Sequence, residues 1–385
     1  MDSRFETHTT LNGILLNRVR TPRGGVELRM LPAEKEDSRV AKRQEGVGRP
    51  EASRTPMSVG PPDSIVQVKV EADSMEGGFL SGTTMQDSST TGGLRMATVL
   101  DSDRVGVSDD VLVTALVNEK SGIRVCNYLQ PTEVEGTLLS WTKVSNIGSV
   151  SVDIEHLSSF VFSGITPFAV DDAPGRLKVH RFRSWWSNEG RHECRTLEDL
   201  HLTRNWAGCM MPNERFGQVG TMPVRQFFPF VAVEDSEENV LWGAQLAWAG
   251  SWQMEISRRG DTLSLSGGLA DFELGHWKKS LEPGELFTTP IAHLACVVGG
   301  VADLTARLVQ LQESLLPEPP ESEKDLPVIF NEWCTNWGDP SHDKTIALAK
   351  RLKGSGVKYL VIDDGWAVRP PEATMQSNGD WIVDT

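Results

Sequence analysis

The amino-acid sequence predicts a multidomain protein of the β plus α/β class, in which a large antiparallel β-sandwich precedes the first strands and helix of an incomplete (β/α)8 barrel. Residues 65–298 contain many short segments in which apolar and polar residues alternate, as they do in strands with one buried and one wet face. Residues 301–316 have the apolar spacing of an amphipathic helix. Residues 326–366 then follow the order strand, helix, strand, which is one parallel crossover.

The sandwich prediction rests on alternation between turns. Val66, Val68 and Val70 alternate with polar neighbours near the start of this region, and Leu263 and Leu265 do so near its end. Gly, Asn and Asp between such segments favour turns. We therefore expect an antiparallel sandwich over residues 63–300.

Residues 1–62 differ in composition from the rest of the chain. Charged residues of both signs are densely mixed from Glu34 to Arg54, and aromatic residues are few. A segment of this composition buries little apolar surface. The sequence therefore predicts a disordered arm before the sandwich.

A helix and a proline-rich linker are predicted between the two domains, over residues 301–325. Leu304, Leu308, Leu311 and Leu315 fall on one stripe of the helix. The segment 317–321 contains three prolines, which end a helix and stiffen a connection. We expect the second domain to occupy residues 326–385.

The second domain carries the residues that suggest a function. An apolar strand, 357–362, ends in Asp363-Asp364-Gly365-Trp366. In a barrel of parallel strands, residues just past the carboxyl end of a strand line the active site. Carboxylates accept hydrogen bonds from hydroxyls, and an indole packs against the apolar C–H face of a sugar ring. The pattern therefore indicates a sugar site.

Three motifs in order carry a family resemblance: Asn331-Glu332-Trp333, the Asp363-Asp364-Gly365-Trp366 turn, and Gly379-Asp380-Trp381-Ile382-Val383-Asp384. Together they resemble the start of the catalytic barrel of glycoside hydrolase family 36, the α-galactosidases, whose members carry an N-terminal β-supersandwich. The resemblance covers only the N-terminal portion of such an enzyme.

The resemblance also implies roles for individual residues. Asp363 and Asp364 match the carboxylates that bind hydroxyls of the terminal galactose. Trp333, Trp366 and Trp381 are expected at the same substrate-binding subsite. Glu332 is expected to support the site rather than to contact the sugar, and Asp380 to orient Trp381.

No catalytic residue is expected within this chain. A retaining glycosidase needs two carboxyl groups roughly 5 Å apart, and the family carries its nucleophile in a Lys-Trp-Asp-x-Asn motif. No Lys-Trp-Asp occurs here. The 60 residues from Leu326 to Thr385 are far fewer than the about 250 of a full barrel. We expect the nucleophile and the acid/base beyond Thr385, and this chain, as a fragment, to be inactive alone.

The leading functional hypothesis is therefore a retaining α-galactosidase that hydrolyses terminal α-D-galactosyl residues of oligosaccharides or glycoconjugates. Two alternatives stay open. Enzymes resembling raffinose and stachyose synthases share these motifs and transfer the galactosyl group to a sugar. A truncated, non-catalytic β-sandwich protein that binds galactosides is the second alternative.

Composition limits the partners and the location. A net charge of −15 argues against nucleic acid or an anionic membrane as the main partner. The N-terminus lacks the apolar core of a signal peptide, and the five cysteines form no framework. These features favour the cytoplasm, although an incorrectly assigned first exon would leave secretion open. His192, Cys194 and His201 lack a fourth ligand at a zinc-like spacing.

We expect no metal and no cofactor for these reasons. The partners that the resemblance implies are α-galactoside sugars. Family members form dimers or tetramers, so a homo-oligomer is an option for this chain that its sequence leaves open.

Overall fold

A computed structural model of the chain describes residues 6–21, 24–40, 64–71, 73, 88–204, 212–222, 224–368 and 381–384. Most of this structure is β-sheet, with few helices. The chain forms two compact units, Met1–Ser314 and Leu315–Thr385. None of the described helices is long and apolar enough to cross a membrane.

The described part of the first unit contains nineteen strands. In chain order they are β1 (Glu6–Leu11), β2 (Ile14–Arg20), β3 (Val26–Pro32), β4 (Val68–Val70), β5 (Arg95–Ala97), β6 (Leu112–Asn118), β7 (Ile123–Pro131), β8 (Thr137–Asn146), β9 (Val152–Ile165), β10 (Leu177–Trp185), β11 (Asn188–Thr196), β12 (Asn213–Gln218), β13 (Phe230–Asp235), β14 (Val240–Leu246), β15 (Trp252–Arg259), β16 (Thr262–Leu269), β17 (Lys279–Leu281), β18 (Leu286–Thr288) and β19 (Ala292–Val298).

These strands form two large sheets. The nine-stranded sheet has the order β1-β2-β3-β9-β16-β15-β12, and β4 and β17 also pair with β9. The ten-stranded sheet has the order β11-β10-β13-β14-β19-β8-β7-β6-β5, and β18 pairs with β8. The pairings are antiparallel apart from the contact of β3 with β9, so the alternation in the sequence predicted the strand type correctly.

Both sheets contribute to one hydrophobic core. Leu16 and Leu28 of the nine-stranded sheet and Leu116 and Val125 of the ten-stranded sheet are buried in the same cluster. At its centre Trp242 of β14 is fully buried, and its Nε1–H donates a hydrogen bond of 2.7 Å to a backbone carbonyl of β3. A buried indole needs such a partner, so this bond fixes one sheet against the other.

The prediction of a disordered arm over residues 1–62 is wrong for residues 6–21 and 24–38. β1 pairs with β2 and β2 with β3 in continuous antiparallel register, and a 3-10 helix, Ala33–Ser38, follows. Ile14, Leu16 and Leu28 are buried in the shared core. The mixed charges belong mainly to residues after β3, and the composition of the whole segment concealed these apolar strands. Residues 41–63 lie outside the described part.

The described part of this unit also contains three α-helices: α1 (Ser89–Gly92), α2 (Phe272–Gly275) and α3 (Val301–Leu315). The sequence predicted α3 from its leucine stripe. Leu304, Leu308 and Leu311 are buried, whereas Leu315 is exposed. Gly243 of β14 allows the helix to approach the sheet closely, because a Cβ there would lie 2.8 Å from Leu304 Cδ1.

The second unit is a small crossover of strand, helix and strand. β20 (Val328–Asn331) precedes α4 (Trp333–Asn336) and α5 (His342–Leu352), and β21 (Val357–Val361) follows. β20 and β21 pair in parallel. Ser341 caps α5 by accepting a hydrogen bond from the N–H of Lys344, a role that serine often has at a helix N-terminus.

A buried histidine lies inside the first unit. His156 of β9 is 1% exposed, and its Nδ1 lies 3.2 Å from Nε2 of Gln253. Gln253 also donates to Asp271, which accepts from Arg215. His156 Nε2 has no hydrogen-bond partner. Burial lowers the pKa of His156 from 6.5 to about 4, so the folded protein holds this ring neutral.

We predict that the free energy of unfolding falls as the pH is lowered from 6.5 to 4. Between these values the unfolded chain protonates His156 and the folded chain does not, so protons favour unfolding. The contribution of His156 is about 3 kcal/mol, because one pKa unit corresponds to about 1.36 kcal/mol. Denaturant titrations of the 385-residue chain at several pH values measure the slope.

The matched variants are His156→Gln, which removes the titrating ring, and His342→Gln, which changes an exposed histidine. His180 and His293 also have lowered pKa values because of burial, so the first variant should flatten the profile only in part. An unchanged slope in His156→Gln would contradict the prediction.

Candidate functional site

The candidate site lies at the carboxyl ends of β20 and β21. Parallel pairing places Asn331, the last residue of β20, beside Val361 of β21. Asn331 Nδ2 donates to Asp363 Oδ2 at 2.6 Å, and its Oδ1 accepts from the N–H of Trp333 at 2.9 Å. One amide therefore joins the residues that follow the two strands.

Glu332 supports this arrangement from a buried position. Its side chain is 1% exposed. Oε1 accepts from the N–H of Asp363 at 3.1 Å, and Oε2 accepts from Asn336 Nδ2. Its own N–H donates to the carbonyl of Val361 at 3.1 Å. Both carboxylate oxygens are therefore engaged, which is the geometry of a residue that positions Asp363.

The two adjacent carboxylates are fixed by backbone amides. Asp363 Oδ1 accepts from the N–H of Asp364 at 2.7 Å, and Asp364 Oδ1 accepts from the N–H of Gly365 at 3.0 Å. The hydrogen bond from Asn331, with that from the Asp364 amide, lowers the pKa of Asp363. Within the described residues, Asp364 accepts only through Oδ1. Its Oδ2 is the acceptor available to a ligand.

Two pairs of indoles accompany the carboxylates. Trp366 and Trp381 stack with ring centroids 5.7 Å apart and planes 21° apart. Trp333 meets Trp337 edge to face with centroids 5.8 Å apart. Hydrogen bonds from the N–H of Val368 to the carbonyl of Ile382, and from that of Asp384 to the carbonyl of Trp366, hold 381–384 beside the turn.

The structure thus brings four of the five predicted substrate-binding residues into one connected group: Asp363, Asp364, Trp366 and Trp381. Trp333 joins it through Asn331. Asp380 lies outside the described residues. Sequence reasoning gave no role to Asn331 or Trp337. Asn331 could have been found from its place at the end of a parallel strand.

Gly365 determines the shape of the turn. Its φ is +106°, and a Cβ there would lie 2.4 Å from the carbonyl oxygen of Gly338. Only glycine permits this approach without displacing backbone. The turn with both carboxylates is therefore packed directly on the loop that follows α4.

No group of three or more His, Cys, Asp or Glu residues in the described part of the chain is arranged to hold a metal ion. His192, Cys194 and His201 belong to that part. The four described cysteines form no disulfide.

Comparison with known proteins gives this site a context. Residues 286–385 match the family model described as Melibiase. The chain is 25% identical over 254 residues to a probable α-galactosidase G of Emericella nidulans, an alignment that covers 64% of this chain and 31% of the relative. It is 26% identical over 163 residues to α-galactosidase Mel36A of Lactobacillus acidophilus, covering 41% of this chain and 22% of the relative.

Solved structures share the fold. The family 36 α-galactosidase AgaA of Geobacillus stearothermophilus superposes with a TM-score of 0.69 at 17% identity, covering 99% of this chain and 52% of that one. The galactosidase domain of the α-galactosidase-sucrose kinase AgaSK gives 0.67 at 15% identity, covering 94% and 50%.

The fold of the chain is similar to that of solved glycoside hydrolases. More particularly, the chain is similar to α-galactosidases, among them members of family 36, and corresponds to part of such an enzyme. The chain spans about a third or less of the length of each curated relative named above. It spans about half of each of the two solved structures.

We predict that Gly365→Ala loosens the turn. The new methyl group would meet the Gly338 carbonyl, and overpacking of this kind costs about 1–3 kcal/mol. Amide hydrogen exchange at Val368 and Asp384 should therefore accelerate by roughly fivefold to a hundredfold, since 1.4 kcal/mol is tenfold in an equilibrium.

The matched control is Gly354→Ala. Gly354 also has a positive φ, +83°, but a Cβ there would meet nothing within 4 Å. This variant carries the backbone strain without the contact. Equal exchange rates at Val368 and Asp384 in the two variants would show that the approach to Gly338 does not hold the turn.

Proposed function

We propose that this chain carries the galactose-binding part of a retaining α-galactosidase that hydrolyses terminal α-D-galactosyl residues. The observation that carries the proposal is the pair Asp363 and Asp364, held at the end of β21 by Asn331 and by buried Glu332. Similar solved enzymes support the substrate class, because variants of AgaA were determined with raffinose and with stachyose.

We also propose an architecture for the two units of the chain. In it, the two-sheet unit is the β-supersandwich and residues 326–385 begin the (β/α)8 catalytic barrel. The parallel pair β20–β21 and the superposition on AgaA support this assignment. The supersandwich then begins at β1 rather than near residue 63, because β1–β3 belong to the nine-stranded sheet.

The geometry suits recognition of a sugar. The lowered pKa of Asp363 keeps its carboxylate charged near neutral pH, and hydroxyl-to-carboxylate hydrogen bonds are among the stronger ones. The stacked indoles Trp366 and Trp381 present apolar faces for the C–H side of a pyranose. Backbone amides already order both carboxylates, so binding a sugar costs little further side-chain ordering.

In this proposal the nucleophile and the acid/base carboxylate lie outside these 385 residues. Glu332 is buried and has both oxygens bonded, and Asp363 likewise accepts through both of its oxygens. These hydrogen bonds support a positioning role for Glu332 and a binding role for Asp363 in the proposal. The sequence contains no Lys-Trp-Asp motif. The role left for the Asp363–Asp364 pair is to hold the galactose so that reaction becomes effectively unimolecular.

We predict that Asp364→Asn weakens galactoside binding while the turn is kept, because asparagine retains the oxygen that accepts from Gly365. Loss of a charge-assisted hydrogen bond of about 1.5–3 kcal/mol lowers affinity by roughly tenfold to more than a hundredfold. Calorimetric titration of the chain with raffinose measures the change. Asp343→Asn, on the exposed first turn of α5, is the matched control, and equal affinities in the two variants would remove Asp364 from the site.

A second experiment separates binding from catalysis. Release of galactose from raffinose is compared between the 385-residue chain and the product of the complete reading frame. Hydrolysis is expected only from the latter. Turnover by the 385-residue chain would place the catalytic carboxylates within it, and galactosyl transfer to added sucrose in preference to hydrolysis would favour a transferase.

A further inference from the structure

A cleft lies at the surface of the first unit, beside α3, and the proposed function gives it no role. Its volume is about 440 Å³, within the about 300–1,000 Å³ of small-molecule sites. Its wall comes from the β1–β2 turn, the end of β3, the β7–β8 turn, the end of β19 and one residue of α3, Arg307. A small ligand therefore has room here, between segments that are distant in the chain.

Two glycines keep this space open. Gly13, in the β1–β2 turn, has a φ of +78°, and a Cβ there would lie 3.2 Å from Cγ of Glu135. Gly136, in the β7–β8 turn, has a φ of +77°, and a Cβ there would lie 3.6 Å from Nη1 of Arg307. A side chain at either position would be strained and would crowd the cleft. The Glu135 side chain and the Arg307 guanidinium can therefore approach the backbone of the two turns.

Glu135 and Arg307 are both accessible to a ligand. Arg307 Nη1 donates to the backbone carbonyl of Glu135. The same nitrogen lies 4.0 Å from Oε2 of Glu135, which is beyond hydrogen-bond distance. The side chain of Arg307 is 36% exposed and that of Glu135 is 77% exposed. Within the described residues Arg307 donates only through Nη1, so its other donors and the Glu135 carboxylate are available.

Apolar carbon and a second carboxylate complete the lining. Pro32 and Ala33 line the cleft where β3 ends and the 3-10 helix begins, and Val297 of β19 lines it as well. Glu34 follows Ala33 in the lining and is exposed. The cleft therefore offers hydrocarbon surface together with two carboxylates and one guanidinium.

These groups favour a neutral ligand with hydroxyls. An anion would approach the carboxylates of Glu34 and Glu135, and a cation would approach the guanidinium of Arg307. A zwitterion would lose the hydration of two full charges, and ion pairs at such exposed positions contribute little in return. A hydroxyl both donates and accepts, so two adjacent hydroxyls satisfy a guanidinium and a carboxylate together. Ring C–H groups match the apolar lining.

We propose that this cleft binds a neutral carbohydrate of monosaccharide or disaccharide size. Arg307 donates to one hydroxyl oxygen, and Glu135 accepts from the neighbouring hydroxyl. The C–H side of the ring lies against Pro32 and Ala33. Binding changes no covalent bond. The sugar joins the β1–β2 hairpin to α3, so it stabilises the folded first unit.

The test is titration of the 385-residue chain with galactose, glucose and sucrose, measured by calorimetry and by the thermal unfolding midpoint. It is made in the Asp364→Asn variant as well as in the parent chain, because that substitution weakens the proposed galactose site. We expect saturable binding of one or more of these sugars in both chains, with a raised midpoint. No saturable binding of any of the three sugars to the Asp364→Asn chain would overturn the proposal.

Substitutions in the lining, each made in the Asp364→Asn background, locate the sugar. Arg307→Gln removes a charged donor and should lower the affinity by about tenfold. Glu135→Gln keeps one accepting oxygen and should lower it by about threefold to tenfold. Glu313→Gln, which changes an exposed residue of α3, should bind as the background chain does.

Glu135→Gln decides the outcome if Arg307→Gln fails to fold, because the bond that Arg307 makes is to the backbone of Glu135. Equal affinities in the lining variants and in Glu313→Gln would place the sugar elsewhere and overturn the proposal. Equal galactose affinities in the parent and Asp364→Asn chains would instead count against the proposed function, so the two failures are distinguishable.

Free glycine and inorganic phosphate test the class of ligand. Weaker binding of both than of the sugars supports a neutral carbohydrate. Tighter binding of free glycine, weakened by Arg307→Gln, would overturn the proposal in favour of a zwitterion. Tighter binding of phosphate, weakened by the same substitution, would overturn it in favour of an anion.

Discussion

The structure depends on the hydrophobic core that two large antiparallel sheets bury between them. Neither the nine-stranded nor the ten-stranded sheet can bury its inner face alone, so each folds only against the other. The hydrogen bond from Trp242 to the carbonyl of Met30 links β14 to β3 at the centre of this core. The hairpin β1–β2 extends the same sheet, which is why residues near the N-terminus are ordered.

Some polar groups buried in the first unit are exceptions to this apolar packing. His156 is held neutral by burial and bonds a chain of Gln253, Asp271 and Arg215. Arg18 has a buried donor without an acceptor. The two cases differ in consequence, because histidine can lose its charge at low cost whereas arginine effectively cannot. Histidine then makes stability depend on pH, whereas the arginine keeps its charge.

In the second unit the buried polar group is the carboxylate of Glu332, and both of its oxygens accept hydrogen bonds. Glu332 accepts hydrogen bonds from the amide of Asp363 and the side chain of Asn336, so a buried group positions the end of β21. Gly365 completes the turn by allowing backbone to approach Gly338. The acidic pair is therefore held in place by side-chain and backbone hydrogen bonds and by close backbone packing.

The sequence by itself determined the strand periodicity, the leucine stripe of α3 and the motifs of the candidate site, because each depends on residues near one another in the chain. The composition of residues 1–62 led to a wrong prediction for residues 6–21 and 24–38. The mixed charges near Glu34 concealed the two short apolar strands β2 and β3. Only the tertiary structure decided the order of nineteen strands in two sheets, the role of Asn331 and Glu332 beneath Asp363, and the placement of Arg18 opposite Thr114. These features join residues distant in sequence, and local patterns do not specify which distant partners satisfy a buried group.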